Sequence, residues 1–311
     1  MTAKVEVRKH KQLTGHNASI FSVVAGPSHQ YFLSGAGDGW VARWDLDNPE
    51  TGRLIAKVET QIFSLLYLKD QRKVVVGNMN GGVHWVDTDN PEATKNIAHH
   101  RKGVFAIERV GEHIFTAGGG GMLTRWSLAD GRSLESFQLT NQSLRCIDYN
   151  AARKELAVGC SDNSIYFLDA GTLELRERWK GAHENSVFTV RYAPDGKHIF
   201  SGARDAHLKV WDRQAGRIVA DHPAHWFTIN DIAIHPEGHW LATGSRDKTI
   251  KIWDAQSFEL LKVLETARDG GHVNSVNRLF WSPYRNYLIS GSDDRSLIIW
   301  EVKSLRRSIS L

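Results

Sequence analysis

Residues 224–254 read AHWFTINDIAIHPEGHWLATGSRDKTIKIWD, and four of them set a pattern: His225, Thr243, Asp247 and Trp253. His to Asp spans 22 positions and His to Trp spans 28. The same offsets hold for His183, Ser201, Asp205 and Trp211, for His272, Ser290, Asp294 and Trp300, and for His16, Ser34, Asp38 and Trp44. A histidine, a hydroxyl, an acid and an indole at fixed distances in four places mark an internal repeat. Within the quoted stretch, INDIAI, WLAT and TIKIWD are short apolar-rich runs, separated by the turn-forming PEG and SRDK. With FELLKVLE after them they predict four short antiparallel strands per unit. Ile250 and Ile252 fall on one face of the third strand and Trp253 on the other. A sheet apolar on both faces needs cover on both, which copies of itself, stacked radially, supply.

On these residues the unit resembles the WD-repeat β-propeller family, whose four-stranded blade ends in Trp-Asp, and the resemblance covers nearly the whole chain. It implies a polar chain within each blade: the turn Asp bonds the His, the His bonds the Ser or Thr, and the hydroxyl bonds the indole N–H. Each buried donor then meets an acceptor. Removing one member strands a neighbour, at a cost of roughly 1–3 kcal/mol.

Seven blade-ending positions are expected, at Trp44, Val86, Trp126, Leu168, Trp211, Trp253 and Trp300, spaced by 40 to 47 residues. The fold class is therefore all-β, a single seven-bladed propeller with blades near 13–57, 58–97, 98–137, 138–180, 181–222, 223–265 and 266–302. Residues 5–13 carry the pattern of an outer strand. The resemblance implies that they join the last blade and close the ring; the competing strand is 305–311. Blade 2 has Val58, Val76, Asn80 and Val86 in place of the four network residues. Blade 3 keeps His100, Thr116 and Trp126 but has Gly120 where the acid belongs. Blade 4 keeps Asp162 alone. Blades 2 to 4 are thus expected to rely on apolar packing and to be the more mobile half.

Composition excludes several classes. The chain has 311 residues, 41% hydrophobic and 24% charged, with a net charge of +4. It shows no dense basic run, no long apolar span and no signal-like start, so a cytoplasmic setting is the default expectation. Two cysteines, Cys146 and Cys160, make no disulfide framework or metal cluster. No motif of a metalloprotease, phosphate-binding loop or serine hydrolase is present; the Gly118–Gly121 run leads into no helix pattern. The pairs His99/His100, His222/His225 and His235/His239 suggest structural roles over metal binding. No cofactor, metal or catalytic activity is expected.

The resemblance also implies a partner-binding rim at the top of the ring, reached by three positions per blade: three and five residues after the His, and the one before the Asp. The side chains singled out there are Phe21, Phe63, Met79, Phe105, Arg145, Phe188, Arg204, Asn230, Arg246, Asn277 and Asp293. Four Phe at equivalent sites and three Arg from neighbouring blades predict an aromatic side and a cationic side. Both residue types dominate binding hot spots. The alternative for each Phe is packing against its neighbours across the channel mouth. For Arg204 and Arg246 the alternative is pairing with the adjacent Asp. The function expected is a protein-interaction scaffold for a segment carrying apolar and acidic or phosphorylated groups. Small-ligand or enzymatic use of the channel mouth, and weak nucleic-acid binding, are the alternatives; no membrane partner is expected.

Overall fold

A computed structural model describes residues 4–305. It contains seven four-stranded antiparallel sheets. The first runs Ile20–Ala25, Tyr31–Ala36, Trp40–Asp45 and Arg53–Lys57, from the inside of the ring outward. The strands Ile229–Ile234, Trp240–Ser245, Ile250–Asp254 and Leu260–Leu264 of the sixth sheet match the apolar runs that defined the repeat. A short helix, Thr266–Asp269, occupies part of the longer segment that leads into the seventh blade.

The turn between the second and third strands is built alike round the ring. In six blades an N–H closes it onto the carbonyl three residues back, as Gly39 does on Ala36 and Lys248 on Ser245. The residue at this position has positive φ in all seven: Gly39, Gly81, Gly121, Asn163, Ala206, Lys248 and Arg295, between 66° and 87°. Glycine and Asn suit that conformation, whereas Ala206, Lys248 and Arg295 adopt it against their Cβ. At Gly121 glycine is obligatory, since a Cβ would stand 1.9 Å from the Thr140 carbonyl oxygen.

Neighbouring sheets pack face to face, and their apolar side chains form mixed clusters. One joins Trp240, Ile250 and Ile252 of the sixth blade with Leu279, Trp281 and Trp300 of the seventh. The blade-ending indoles Trp44, Trp126, Trp211, Trp253 and Trp300 are all buried. Each such burial is worth about 1.5–3 kcal/mol, so the stack rather than any one sheet carries the stability.

The ring closes as expected. Strand Lys4–Leu13 pairs antiparallel with Leu297–Leu305, from Lys4 opposite Leu305 to Leu13 opposite Leu297. It takes the outer place of a sheet whose other strands come from the C-terminal end. Residues 306–311, most of the competing closing strand, lie outside the described residues.

Candidate functional site

Four polar networks hold the end of the ring at which the inter-blade segments and the second-to-third-strand turns meet. In the first blade, His16 Nδ1 donates to Asp38 at 3.0 Å, Ser34 Oγ lies 2.7 Å from His16 Nε2, and the Trp44 indole donates to Ser34 Oγ at 2.8 Å. The same chain of contacts joins His183, Asp205, Ser201 and Trp211. It recurs through His225, Asp247, Thr243 and Trp253, and through His272, Asp294, Ser290 and Trp300. The donor order fixes the histidine tautomer. The hydroxyl accepts from the indole and donates to Nε2, so Nδ1 carries the proton given to the carboxylate. Burial depresses the protonation of His183 and His225, with the Asp partners opposing it. Asp205 is held down at about 2 although burial alone would raise it, because the His183 ring and the backbone N–H groups of His207 and Glu184 stabilise the anion.

Each carboxylate also fastens two backbone groups. One is the N–H after the His (Asn17, Glu184, Trp226 and Val273). The other is the N–H two residues after the Asp (Trp40, His207, Thr249 and Ser296). One acid therefore ties the segment between blades to the turn beside it.

Blades 2 and 4 depart from the expectation of purely apolar packing. In blade 2, Asn78 donates to Glu59 at 2.8 Å and contacts His84 Nε2 at 2.9 Å, while His84 Nδ1 meets Asn96 at 2.7 Å. In blade 4, Asp162 accepts from Tyr166 at 2.5 Å and Arg178 at 2.9 Å. Blade 2 thus ties its entry segment through other residues, whereas in blade 4 the Asp162 at the repeat position joins the turn to the third and outer strands. In blade 3, Thr116 lies 2.8 Å from His100 Nε2 and accepts from Trp126 at 2.8 Å, but His100 Nδ1 is buried with no partner.

The rim has a backbone cause. The register of every inner strand shifts at one residue. That residue is Phe21, Phe63, Phe105, Arg145, Phe188, Asn230 or Asn277 in turn. A bulge re-aims a side chain, and here it produces a belt with one member per blade. Phe21 meets Phe63 edge-on with centroids 5.3 Å apart, and Phe63 lies 5.2 Å from Phe105. The Arg145 guanidinium sits over Phe105 at 4.6 Å and over Phe188 at 5.0 Å, while its Nε donates to Ser161. Asn230 donates to Ser275 and the Val276 carbonyl. Asn277 donates to Asp293 at 2.7 Å and to the Ile20 carbonyl. The structure brings these residues together, with the one cation of the belt, Arg145, set between Phe105 and Phe188. All seven are half-buried, so each offers an edge rather than a full face.

Met79, Arg204 and Arg246 stand outside the belt and are exposed. Among the described residues neither Arg204 nor Arg246 pairs with an acid, so the alternative of a contact to the adjacent Asp is not realised. The most exposed large aromatic side chains among the described residues are Trp226, at 87%, and Phe227, at 58%. They directly follow His225 in the segment leading into blade 6. The Trp226 N–H is held by Asp247, and the Phe227 carbonyl accepts from Ser245. Sequence reasoning passed over them because it asked only about the third and fifth positions after each His. The signal was in the opening stretch itself, where an AHWF run places two large apolar residues in a polar loop.

The paired histidines resolve individually. His99 packs on Trp126 with centroids 4.6 Å apart, and its Nε2 contacts Thr124 and Ser136. His222 packs against Trp253. His235 is wedged edge-on between Trp240 and Trp281, 5.0 Å from each. Among the described residues no group of three or more His, Cys, Asp or Glu is arranged to hold a metal. Cys146 and Cys160 are free, buried thiols. Burial pushes the Cys146 thiol up to about 11, out of the reactive range.

Below the belt lies a cavity of about 390 Å³ whose charges the sequence reading did not place, among them Glu108, Asp148, Arg191 and Arg278. Arg191 donates to Asp231 at 3.2 Å, and Arg278 lies 3.6 Å from the same carboxylate. Burial, reinforced by Asp148, pushes Glu108 up to about 8. The part of Glu108 that remains accessible faces this shaft. These residues were hidden because they sit on inner strands, where alternating polar positions read as solvent-facing.

The family model described as WD domain, G-beta repeat matches residues 7–45, 176–212, 216–254 and 259–301, just over half of the chain. The chain belongs to the WD-repeat family. Among curated relatives, it is 25% identical over 186 residues to the guanine nucleotide-binding protein subunit beta of Saccharomyces cerevisiae, covering 59% of this chain and 43% of that one. It is 24% identical to the 66 kDa stress protein of Physarum polycephalum, covering 67% and 34%. It is 25% identical to WD repeat-containing protein 90 of Xenopus tropicalis, covering 48% and 9%. The chain thus spans less than half the length of these relatives. Among solved structures, the WD40 β-propeller domain of Doa1 superposes with a TM-score of 0.84 over 98% of both chains at 18% identity, a likeness of fold. The matched segments include the four blades with complete networks, whereas residues 46–175, spanning blades 2 to 4, fall outside them. No helix of the described residues is long and apolar enough to cross a membrane.

Proposed function

We propose that this WD-repeat chain is a non-catalytic interaction scaffold that holds a partner segment across the rim of the propeller. The observation that carries this reading is the exposed Trp226–Phe227 pair beside the unpaired Arg204 and Arg246. A Trp left 87% exposed in a loop whose backbone is pinned by Asp247 is a rigid apolar anchor. Aromatic anchors and Arg are the side chains that concentrate binding energy, and a guanidinium forks onto carboxylate or phosphate oxygens. A partner segment with one apolar residue for the Trp–Phe pair and acidic or phosphorylated groups for the arginines fits this surface. The belt residues Phe21, Phe63, Phe105, Arg145 and Phe188, together with Met79, Asn230, Asn277 and Asp293, then form the floor on which the segment lies.

The test compares the wild type with Trp226→Ala/Phe227→Ala and with Phe63→Ala/Phe105→Ala in quantitative affinity capture from native lysate. Partners recovered by the wild type should be lost from the first variant while its unfolding midpoint is unchanged. Identical recovery by all three proteins would refute the rim as the binding surface.

A further inference from the structure

Four blades place an Asp at the same point of the same turn, and that carboxylate takes three donors each time: a histidine Nδ1, the N–H after the histidine and the N–H two residues after the Asp. Blade 3 has the donors and lacks the acid. Gly120 stands at the Asp position, and the corresponding donors are His100 Nδ1, the Arg101 N–H and the Met122 N–H. Thr116 occupies Nε2 of His100, so the remaining ring nitrogen is an N–H; it is buried and has no acceptor. The backbone groups of Arg101 and Met122 receive no side-chain acceptor among the described residues. The place itself is open. A Cβ built on Gly120 meets nothing within 4 Å, although it would be an ordinary position for the acid in a sister blade. The His100 ring leans over Gly118, where a Cβ would stand 2.3 Å from Nδ1, and so fills part of the room that a sister blade gives to Ala or Ser.

The surroundings favour an anion. Arg101 and Lys102 are both exposed, and neither forms an ion pair among the described residues. The glycine turn also abuts the aromatic belt: a Cβ on Gly119 would lie 3.0 Å from Phe105, and one on Gly103 would lie 3.0 Å from Phe63. An acid seated in the notch would lay its neighbour in sequence over those rings.

We propose that the Gly118–Gly121 turn of blade 3 is a carboxylate-binding notch, in which an acidic group from outside the chain takes the place that Asp38, Asp205, Asp247 and Asp294 fill in their own blades. The occupant is a carboxylate, supplied by a partner's acidic side chain with an apolar neighbour or by a small free acid. The first source deepens the scaffold reading above and rests on it, while the notch itself does not. Its donors are a buried N–H that would otherwise remain unsatisfied and the two backbone N–H groups at the positions that bond the carboxylate in the sister blades, so little must be ordered on binding.

The experiment follows the His100 ring resonances by NMR in the wild type, in Gly120→Asp and in Gly120→Ala. Each is titrated with sodium acetate and with the acetylated dipeptide Asp-Phe amide, up to ~100 mM, a range in which one weak polar site saturates measurably. In the wild type both probes should shift the His100 signals saturably and raise its titration midpoint by about one pH unit, because the bound anion favours the protonated ring. Gly120→Ala, which leaves the donors unfilled, should respond like the wild type. Gly120→Asp should show the raised midpoint with no probe added and no response to either. Tighter binding of the dipeptide than of acetate assigns the site to a partner's acidic residue; equal binding assigns it to small acids. No response in the wild type, or an undiminished response in Gly120→Asp, would overturn the notch. Neither result touches the Trp226 and Phe227 variants, so a failure here is distinguishable from a failure of the rim.

Discussion

The incomplete network of blade 3 makes stability depend on pH in a way that one substitution should relieve. Burial, assisted by the neighbouring His99, lowers His100 from 6.5 to about 4. A histidine whose folded value is depressed resists the proton that the unfolded chain accepts. The His100 contribution to stability is therefore full above pH 6.5 and is lost as pH drops towards 4. The 2.5-unit difference corresponds to about 3 kcal/mol once both states are titrated, and to about 2 kcal/mol between pH 8 and pH 5. Gly120→Asp supplies an acceptor for Nδ1 and a charge that favours the imidazolium. It should also stabilise at pH 8 by about 1–2 kcal/mol, through charge-assisted hydrogen bonds and loss of glycine freedom in the unfolded chain. Urea unfolding at both pH values reads the two effects. His183 and His225 titrate in the same direction and contribute to both proteins, so the quantity to compare is the difference between variant and wild type. With the His100 midpoint raised by about one pH unit, that difference should widen by about 0.4 kcal/mol on going from pH 8 to pH 5. An unchanged difference, or a variant less stable at both values, would refute the reasoning.

Three further outcomes follow from the same geometry. Ser201→Ala removes the hydroxyl shared by His183 and Trp211, leaves two buried ring nitrogens without partners, and should cost roughly 1–3 kcal/mol in chemical denaturation; a loss below about 0.5 kcal/mol would show that the network is dispensable. Deleting residues 1–12 strips the outer strand from the closing sheet, and a melting temperature equal to that of the full chain would rule out that strand as the clasp. Glu108, pushed up to about 8, keeps a proton in the folded state that the unfolded chain releases, so its contribution to stability should decline as pH rises from 4.5 through 8. Glu108→Gln should flatten that decline and be the more stable protein at pH 9, and parallel stability curves for the two would contradict the burial argument.

The repeat was legible because its period is fixed by side chains that must meet. His225 can reach Thr243 and Asp247 only if two strands and a turn of set length lie between them, so the spacing encodes the blade. The closing strand was legible for a related reason: a ring of this design leaves one outer place to fill. The substitute bridges of blades 2 and 4 were not legible, because Asn78–His84 and Asp162–Tyr166 lie at offsets that recur nowhere else in the chain. Phe21, Phe63, Phe105 and Phe188 share one repeat position in the sequence, but their packing depends on the bulge at each of them, and a bulge leaves no mark on apolar periodicity. Trp226 and Phe227 were legible in part: AHWF sets two large apolar residues in a polar loop, while the degree of their exposure is a property of the assembled surface.

The clasp between Lys4–Leu13 and Leu297–Leu305 has a consequence for synthesis. The first strand made is the last to find its partner, nearly 300 residues later. While the chain emerges, KVEVRKHKQL must wait with its hydrogen-bonding edges bare. Its four basic Lys and Arg side chains are suited to that interval, since like charges keep waiting strands on neighbouring nascent chains from zipping together. Only when the ribosome has delivered the final blade can the circle shut, so a truncated product would be held open at both edges of the gap.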